Sequence, residues 1–117
     1  MDLTEVTSVN FAGKTTLAEL TELIRGSRLL ISNDTSAVHI AASVGTPAVC
    51  ILGGGHYGRF MPYTEKINGM KPRSAIYSMP CFNCNWICNQ SHDRLGPVPC
   101  ISRISVRNVL ILAEKLI

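Results

Sequence analysis

The sequence predicts an α/β fold with a parallel sheet, and three observations lead to it. Residues 28–31 have the pattern of a short apolar strand, and they are followed by a predicted helix of apolar and small residues over about 35–44. Gly45-Thr46-Pro47 ends that helix, and residues 48–52 follow as the unbroken apolar run of a buried strand. A strand, a helix and a strand with short links form a βαβ unit, which implies parallel pairing and a right-handed crossover. Open α/β sheets bind ligands at the carboxyl edge of their strands, so we expect the site there.

A helix of about three turns precedes this unit. Thr16 and Glu19 have the spacing of a capping box, and Gly26 offers a C-terminal stop. The apolar residues between them recur at helical spacing: Leu17, Leu20 and Ile24. Gly13-Lys14-Thr15 looks like the end of a P-loop, but Ser8 stands where that motif requires its first glycine. We therefore interpret these residues as the approach to a capped helix.

Less regular elements follow the βαβ unit. Gly53-Gly54-Gly55 marks a place where the backbone turns or is approached closely. Residues 74–77 are a candidate strand, residues 80–100 are a cysteine-rich loop, and Ser105 is placed to cap a last helix. Its predicted apolar face consists of Val106, Val109, Leu110, Ala113, Leu116 and Ile117.

Length and composition bound the class of protein. A chain of 117 residues is long enough for one domain, spanning 1–117, and its 46% apolar and 16% charged residues are those of a globular protein. The longest apolar stretch, residues 37–52, is interrupted by polar residues and proline, and the N-terminus lacks a secretory pattern. We expect a cytoplasmic protein without a transmembrane segment.

The net charge of +3 is unevenly distributed. Residues 1–58 hold three basic and five acidic side chains, whereas residues 59–107 hold seven basic and two acidic ones. The second half therefore favours anions. Nucleic acid is not an expected partner, because the basic excess is small and the aromatic residues form no stacking array.

The start of the second helix predicts an anion site. The backbone N–H groups of Thr35, Ser36 and Ala37 would be unpaired at the positive end of the helix dipole, where a diphosphate fits. Thr35 and His39 are four residues apart and share a helix face. Alternatively, Asp34 is only an N-cap and His39 a satisfied core histidine. The residues alone leave both interpretations open.

A family resemblance favours the anion site. Residues 29–47, LLISNDTSAVHIAASVGTP, resemble glycosyltransferase family 9, the bacterial heptosyltransferases of lipopolysaccharide synthesis, whose signature is Asp-Thr-Gly, two residues, His, then Ala-Ala, Gly and Pro. Upstream, residues 13–20 are similar to the Gly-Lys-Thr-Ser-Leu helix start of that family. Two positions depart from the pattern: Ser36 replaces the usual glycine, and Gly54-Gly55-His56 stands where Pro and Thr often follow Gly53.

The resemblance implies a Rossmann-like parallel sheet with flanking helices, the C-terminal, donor-binding half of a GT-B glycosyltransferase. It implies that Asp34, Thr35, Ser36, Ala37 and His39 hold the diphosphate of a nucleotide-sugar donor, expected to be ADP-heptose. The acceptor would be a saccharide of the lipopolysaccharide core, and the enzyme would work in the cytoplasm, at the inner face of the inner membrane, in peripheral association with it.

The resemblance also implies an inverting reaction, in which a carboxylate base deprotonates the acceptor hydroxyl. That base belongs to the N-terminal domain of the family, so no residue of this sequence is assigned to it, and the catalytic residues stay unknown. The sequence is expected to be a fragment of a two-domain enzyme, inactive in isolation. No cofactor is expected for the chemistry.

Four of the five cysteines lie in the cysteine-rich loop: Cys81, Cys84, Cys88 and Cys100. Thiolates at such spacings can hold structural zinc, although the pattern lacks two Cys-x2-Cys pairs. Disulfides and free thiols are the alternatives. Cys50, inside an apolar strand, is expected to be a buried free thiol. Trp86, between two cysteines, is expected to anchor the loop rather than stack on a base.

A second functional class is kept beside the enzyme: a non-enzymatic, cysteine-stapled α/β binding or interaction module. Nucleotide binding discriminates the two interpretations, whereas zinc content does not, because a glycosyltransferase can also carry a structural zinc.

Overall fold

A computed structural model describes residues 7–117, so the first six residues of the predicted domain lie outside the described range. Four helices and three strands follow one another within this described range. In order they are α1 (Leu17–Gly26), β1 (Leu30–Asn33), α2 (Ser36–Val44), β2 (Ala48–Ile51), β3 (Arg73–Ala75), α3 (Pro99–Ser102) and α4 (Val106–Glu114). Within residues 7–117, no helix is both long and apolar enough to cross a membrane.

The three strands form one parallel sheet in the order β1-β2-β3, with β2 at its centre. Leu30 pairs with Ala48 and Asn33 with Ile51, and on the other side of β2, Val49 pairs with Arg73. The apolar residues of β2 alternate between two faces: Ala48 and Cys50 pack towards α1 and α2, and Val49 packs towards α4. The predicted α/β class and parallel βαβ unit are confirmed.

The predicted start of α1 is also confirmed. The Thr16 hydroxyl accepts the Glu19 N–H at 3.1 Å, and the Glu19 carboxylate accepts the Thr16 N–H at 3.1 Å. These bonds favour the charged carboxylate, so they lower the pKa of Glu19. Gly13-Lys14-Thr15 leads into this capped helix, as expected.

Strand boundaries differ from the prediction at both edges of the sheet. β1 begins two residues later than predicted and continues to Asn33, because Ser32 and Asn33 pair with β2 rather than cap a helix. The N-cap of α2 is therefore Thr35, and the interpretation of Asp34 as an N-cap is wrong. β3 ends at Ala75, where its pairing with Ile51 ends, although the apolar pattern continues to Tyr77.

The C-terminal helices differ in detail too. Ser105 caps α4 by accepting the Asn108 N–H at 3.0 Å, as predicted, but part of the predicted apolar face is exposed. Val106 is 76% exposed, and Leu110 and Ile117 are exposed as well. The buried face instead consists of Val109, Leu112, Ala113 and Leu116. The short helix α3, at the end of the cysteine-rich loop, was not predicted.

Cys50 is a fully buried free thiol, as predicted. It packs with Val38, Leu52 and Met61 on the α2 side of β2. Burial, together with the negative charge of Asp34, raises the pKa of Cys50 from an ordinary 9.0 to about 12. The thiol therefore stays protonated, and it acts as a small apolar side chain at neutral pH.

The glycine loop, Gly53–Gly55, holds the cysteine loop, residues 80–100, against the carboxyl end of β2. A Cβ on Gly54 would lie closer than 3.0 Å to the ring of Phe82, and one on Gly53 or Gly55 would lie equally close to the indole of Trp86. None of the three glycines has a positive φ. They are required for close approach of aromatic rings and not for an unusual backbone conformation.

Raising the pH should lower the free energy of unfolding through Cys50. Because its pKa is about 12 in the folded chain and 9.0 when exposed, the folded state binds more protons between these values, and stability falls as pH rises through that window. Urea unfolding at several pH values between 8 and 11 measures this slope. Cys50→Ala should reduce the slope, and an unchanged slope would contradict the assignment.

Gly55→Ala should destabilise the chain by roughly 1–3 kcal/mol, the usual cost of overpacking, because the new Cβ overlaps the indole of Trp86. Gly26→Ala is the matched control: the same methyl group meets no atom within 4 Å there. Urea unfolding should separate the two variants. Equal stability of both would show that the indole does not lie on the glycine loop.

Candidate functional site

The α2 cleft lies where β1 and β2 end, which is the carboxyl edge predicted to bind ligands. Its volume is about 510 Å³, within the range of small-molecule sites. It is lined by Asn33, Asp34, Thr35, Ser36, His39, Ile51, Gly53, His56, Phe60, Trp86 and Ile101.

Four of the five residues predicted to hold a diphosphate line this cleft: Asp34, Thr35, Ser36 and His39. The first three are exposed, and His39 is half-buried. Thr35 and His39 share the cleft, as their spacing predicted. Ala37 does not line it, since its side chain packs beside Ile24 and Ala41 in the core. Only its backbone N–H remains available for the predicted role.

The N-terminus of α2 lacks a side-chain cap. The hydroxyls of Thr16 and Ser105 cap α1 and α4, whereas the N-cap of α2, Thr35, makes no capping hydrogen bond. Its hydroxyl lies instead 3.2 Å from that of Ser32. The first N–H groups of α2 and the positive end of its dipole therefore open on the cleft.

Ser36 fits the helix start without backbone strain. Among the described residues other than glycine, positive φ angles occur only at Asn83, Asn85 and Trp86. Ser36 is the first residue of α2 and is exposed. The departure from glycine at this position therefore leaves the helix start intact.

His39 has a defined partner. Its Nδ1 lies 2.5 Å from the hydroxyl oxygen of Tyr63, and the two rings stack with their centroids 5.6 Å apart. Burial, and then the charge that Cys50 would carry, raises the pKa of Tyr63, so its hydroxyl stays protonated at neutral pH. His39 is therefore a satisfied histidine that also lines the cleft, and its contact with an anion stays a prediction.

Sequence reasoning missed the aromatic end of the cleft, formed by His56, Phe60 and Trp86. The rings of Phe60 and Trp86 lie edge-on to the His56 ring, at centroid distances of 6.3 and 6.2 Å. Trp86 anchors the cysteine loop, as predicted, yet it also lines the cleft. This contact was not predictable, because Trp86 lies more than thirty residues after β2 in the sequence. The three glycines alone indicated that another part of the chain packs closely against the backbone there.

The four cysteines of the loop, Cys81, Cys84, Cys88 and Cys100, line a small cavity under the glycine loop. All four are free thiols, and the Sγ of Cys100 accepts the Gly54 N–H at 3.4 Å. Within residues 7–117, no three Cys, His, Asp or Glu side chains are grouped to hold a metal ion. Zinc binding by these four cysteines therefore stays a prediction, which metal analysis of the purified protein would test.

A larger hollow, of about 870 Å³, runs along α1 and is lined by residues such as Phe11, Ala18 and Leu23. It lies away from the carboxyl ends of the strands. The α2 cleft joins a helix N-terminus, a histidine and an aromatic wall, so it is the candidate functional site.

Comparison with known proteins gives the cleft its context. Two curated proteins of Haemophilus influenzae are similar to this chain. Lipooligosaccharide heptosyltransferase 2 is 42% identical over 45 residues, which cover 38% of this chain and 13% of that protein. Lipopolysaccharide core heptosyltransferase OpsX is 38% identical over 66 residues, which cover 56% of this chain and 19% of that protein. The matched segments thus span less than a fifth of either relative, and no solved structure matches significantly.

The family model of glycosyltransferase family 9 (heptosyltransferase) matches residues 1–90. This range includes the carboxyl ends of β1 and β2, helix α2 and the glycine loop. Since this match covers more than half of the chain, the protein belongs to glycosyltransferase family 9, the heptosyltransferase family.

Proposed function

We propose that this chain is the donor-binding part of an inverting glycosyltransferase of lipopolysaccharide core synthesis. The donor would be a nucleoside diphosphate sugar, specifically ADP-heptose, and the fold would be the C-terminal half of a GT-B enzyme. One observation carries the proposal: the uncapped N-terminus of α2 opens into the cleft of a chain that belongs to a heptosyltransferase family.

The diphosphate would bind at the start of α2. The N–H groups of Ser36 and Ala37 would donate to its oxygens, and the helix dipole would stabilise its negative charge. The hydroxyl of Thr35 and the ring of His39 line the same cleft and can donate to neighbouring oxygens. The carboxylate of Asp34 would repel the diphosphate, so we expect it to accept hydrogen bonds from hydroxyl groups of the donor instead.

The chemical contribution of these groups would be stabilisation of the leaving group. As the bond from the sugar to the diphosphate breaks, negative charge develops on the diphosphate oxygen, and the helix N-terminus and His39 offset it. Proton removal from the acceptor hydroxyl requires a carboxylate base of the other domain that the family implies. We therefore expect the 117-residue chain to bind the donor without transferring its sugar. We also expect the site to face the cytoplasm.

Membership in a glycosyltransferase family favours this proposal over a non-enzymatic binding module. The cysteines, moreover, do not staple the loop by disulfides, since all five are free thiols. The cysteine loop is held instead by aromatic packing on the glycine loop.

His39→Ala should weaken ADP binding by roughly tenfold or more, because a hydrogen bond to a charged group contributes about 1.5–3 kcal/mol. The measurement is a titration of ¹H–¹⁵N chemical shifts with ADP, alongside UDP and GDP. Wild-type shifts should be saturable and ADP-selective, and they should centre on residues 35–39.

His92→Ala is the matched control, since His92 is exposed in the cysteine loop and lies outside the α2 cleft. It should bind ADP as the wild type does. Saturable ADP shifts that map to the α1 hollow, or an affinity unchanged by His39→Ala, would contradict the proposed donor site.

A further inference from the structure

We propose that the four cysteines of the cysteine loop bind a single structural zinc ion, which holds this loop on the glycine loop. The ligands would be Cys81, Cys84, Cys88 and Cys100. Their cavity shares only Trp86 with the lining of the α2 cleft and contains none of the residues expected to hold the diphosphate. The proposal therefore does not depend on the proposed function.

The fold brings these cysteines to one place. Cys100 belongs to α3, whereas the other three belong to the irregular part of the loop, yet all four line the same cavity. The fifth cysteine, Cys50, lies on β2 and outside this cavity. Four thiolates are a complete ligand set for zinc, which binds them in a tetrahedron.

The size of the cavity favours one ion over a larger group. Its volume is about 10 Å³, roughly the space of one water molecule. Apolar side chains such as Met79, Phe82 and Val98 line it beside the cysteines, so a water molecule there would find few polar partners. An iron–sulfur cluster also takes four thiolates, but it contains several iron and sulfur atoms and needs more room. A single soft-metal ion is the occupant that suits both the size and the ligands.

The second half of the cysteine loop has little else to hold it. Residues 76–98, all within the described range, contain no helix or strand, and the cysteines form no disulfide. The aromatic contacts with the glycine loop end at Trp86, and beyond it Ile87 is 80% and Leu95 fully exposed. Loops of this length without regular structure are uncommon in compact domains. A metal ion shared by Cys88 and Cys100 would fix both ends of this half.

The surroundings of the sulfur atoms favour bound thiolates. The Sγ of Cys100 accepts the Gly54 N–H at 3.4 Å, a hydrogen bond of the kind that supports metal-bound thiolates. The Arg59 guanidinium donates to the side chain of Asn85, the neighbour of Cys84, at 3.0 Å. Asp93 is the single acidic residue among residues 66–113. Basic surroundings stabilise thiolates, and they offset the net negative charge of zinc with four of them.

Binding would require the sulfur atoms to turn towards one another. As they lie, no three metal-ligating side chains of residues 7–117 are grouped to hold an ion, and the Cys88 thiol donates to the Gln90 carbonyl at 3.9 Å. A cysteine sulfur moves between staggered positions by rotation about one side-chain bond. Each thiol would release its proton to solvent as its bond to Zn²⁺ forms, and no electron is transferred.

The experiment measures the metal content and the stability of the 117-residue chain, expressed with added Zn²⁺. Elemental analysis should give about one zinc ion per chain. After the zinc is removed with a chelator, titration with Co²⁺ should produce the absorption of tetrahedral cobalt with thiolate ligands, and Zn²⁺ should displace it. Chelation should lower the free energy of unfolding in urea, because an ion that binds only the folded chain stabilises it.

Substitution identifies the ligands. Cys84→Ser and Cys88→Ser should each lose most of the bound zinc and the thiolate absorption of the cobalt form. Cys50→Ala is the matched control, since it removes the cysteine outside the cavity and should keep one zinc ion per chain. If a serine variant fails to fold, the intensity of the thiolate absorption in the wild type still counts the sulfur ligands.

Four outcomes would overturn the proposal. They are a folded wild-type chain that binds neither Zn²⁺ nor Co²⁺, a zinc content equal in both serine variants and the wild type, iron and sulfide in place of zinc, and an unfolding free energy unchanged by chelation. ADP binding at the α2 cleft is measured separately, so failure of the zinc site and failure of the proposed function are distinguishable.

Discussion

The contact of two aromatic rings with three consecutive glycines is the constraint on which the cleft depends. β2 ends at Ile51, and the glycine loop that follows has no side chains to separate it from Phe82 and Trp86. The cysteine loop can therefore lie directly on the backbone beyond the central strand. Without this contact the carboxyl edge of the sheet would have one wall, the N-terminus of α2, and would be open on the other side.

The parts of the fold that local pattern determines were predictable from the sequence. The capping box at Thr16, the cap at Ser105 and the helix stop at Gly45 each depend on residues within one turn, so their spacing is visible in the sequence. The parallel βαβ unit followed from apolar periodicity and short links. Errors arose where tertiary pairing overrode local preference: Ser32 and Asn33 have side chains that favour caps, but the register with β2 makes them strand residues.

The candidate site likewise has one side that was predictable from the sequence and one side that was not. The α2 side of the cleft lies within one continuous segment, residues 33–39, and its spacing placed Thr35 and His39 together. Prediction of the aromatic side was not possible, because Trp86 belongs to a loop without periodic pattern. That loop folds back onto the end of β2, more than thirty residues earlier in the chain. The partner of His39 was hidden for the same reason, because Tyr63 comes from the irregular link between β2 and β3. Long-range contacts of loops leave no periodic trace in a single sequence.

The buried surface beneath the site adds rigidity to it. Val38 on α2 and Cys50 on β2 pack together under the helix start, and Tyr63 packs against the same cluster while it contacts His39. A side chain that lines the cleft is thus tied to the core through one intermediate residue. This arrangement limits the orientations of the imidazole without a covalent or metal link.

The absence of side chains at Gly53, Gly54 and Gly55 has a consequence for the evolution of this protein. Each glycine lies in direct contact with the ring above it, so a larger residue at either position costs stability unless the other residue becomes smaller. A smaller residue at position 82 or 86 would relieve the overlap that a larger residue in the glycine loop creates. Substitutions at these positions should therefore occur in correlated pairs among descendants of this sequence, although the paired positions are about thirty residues apart along the chain.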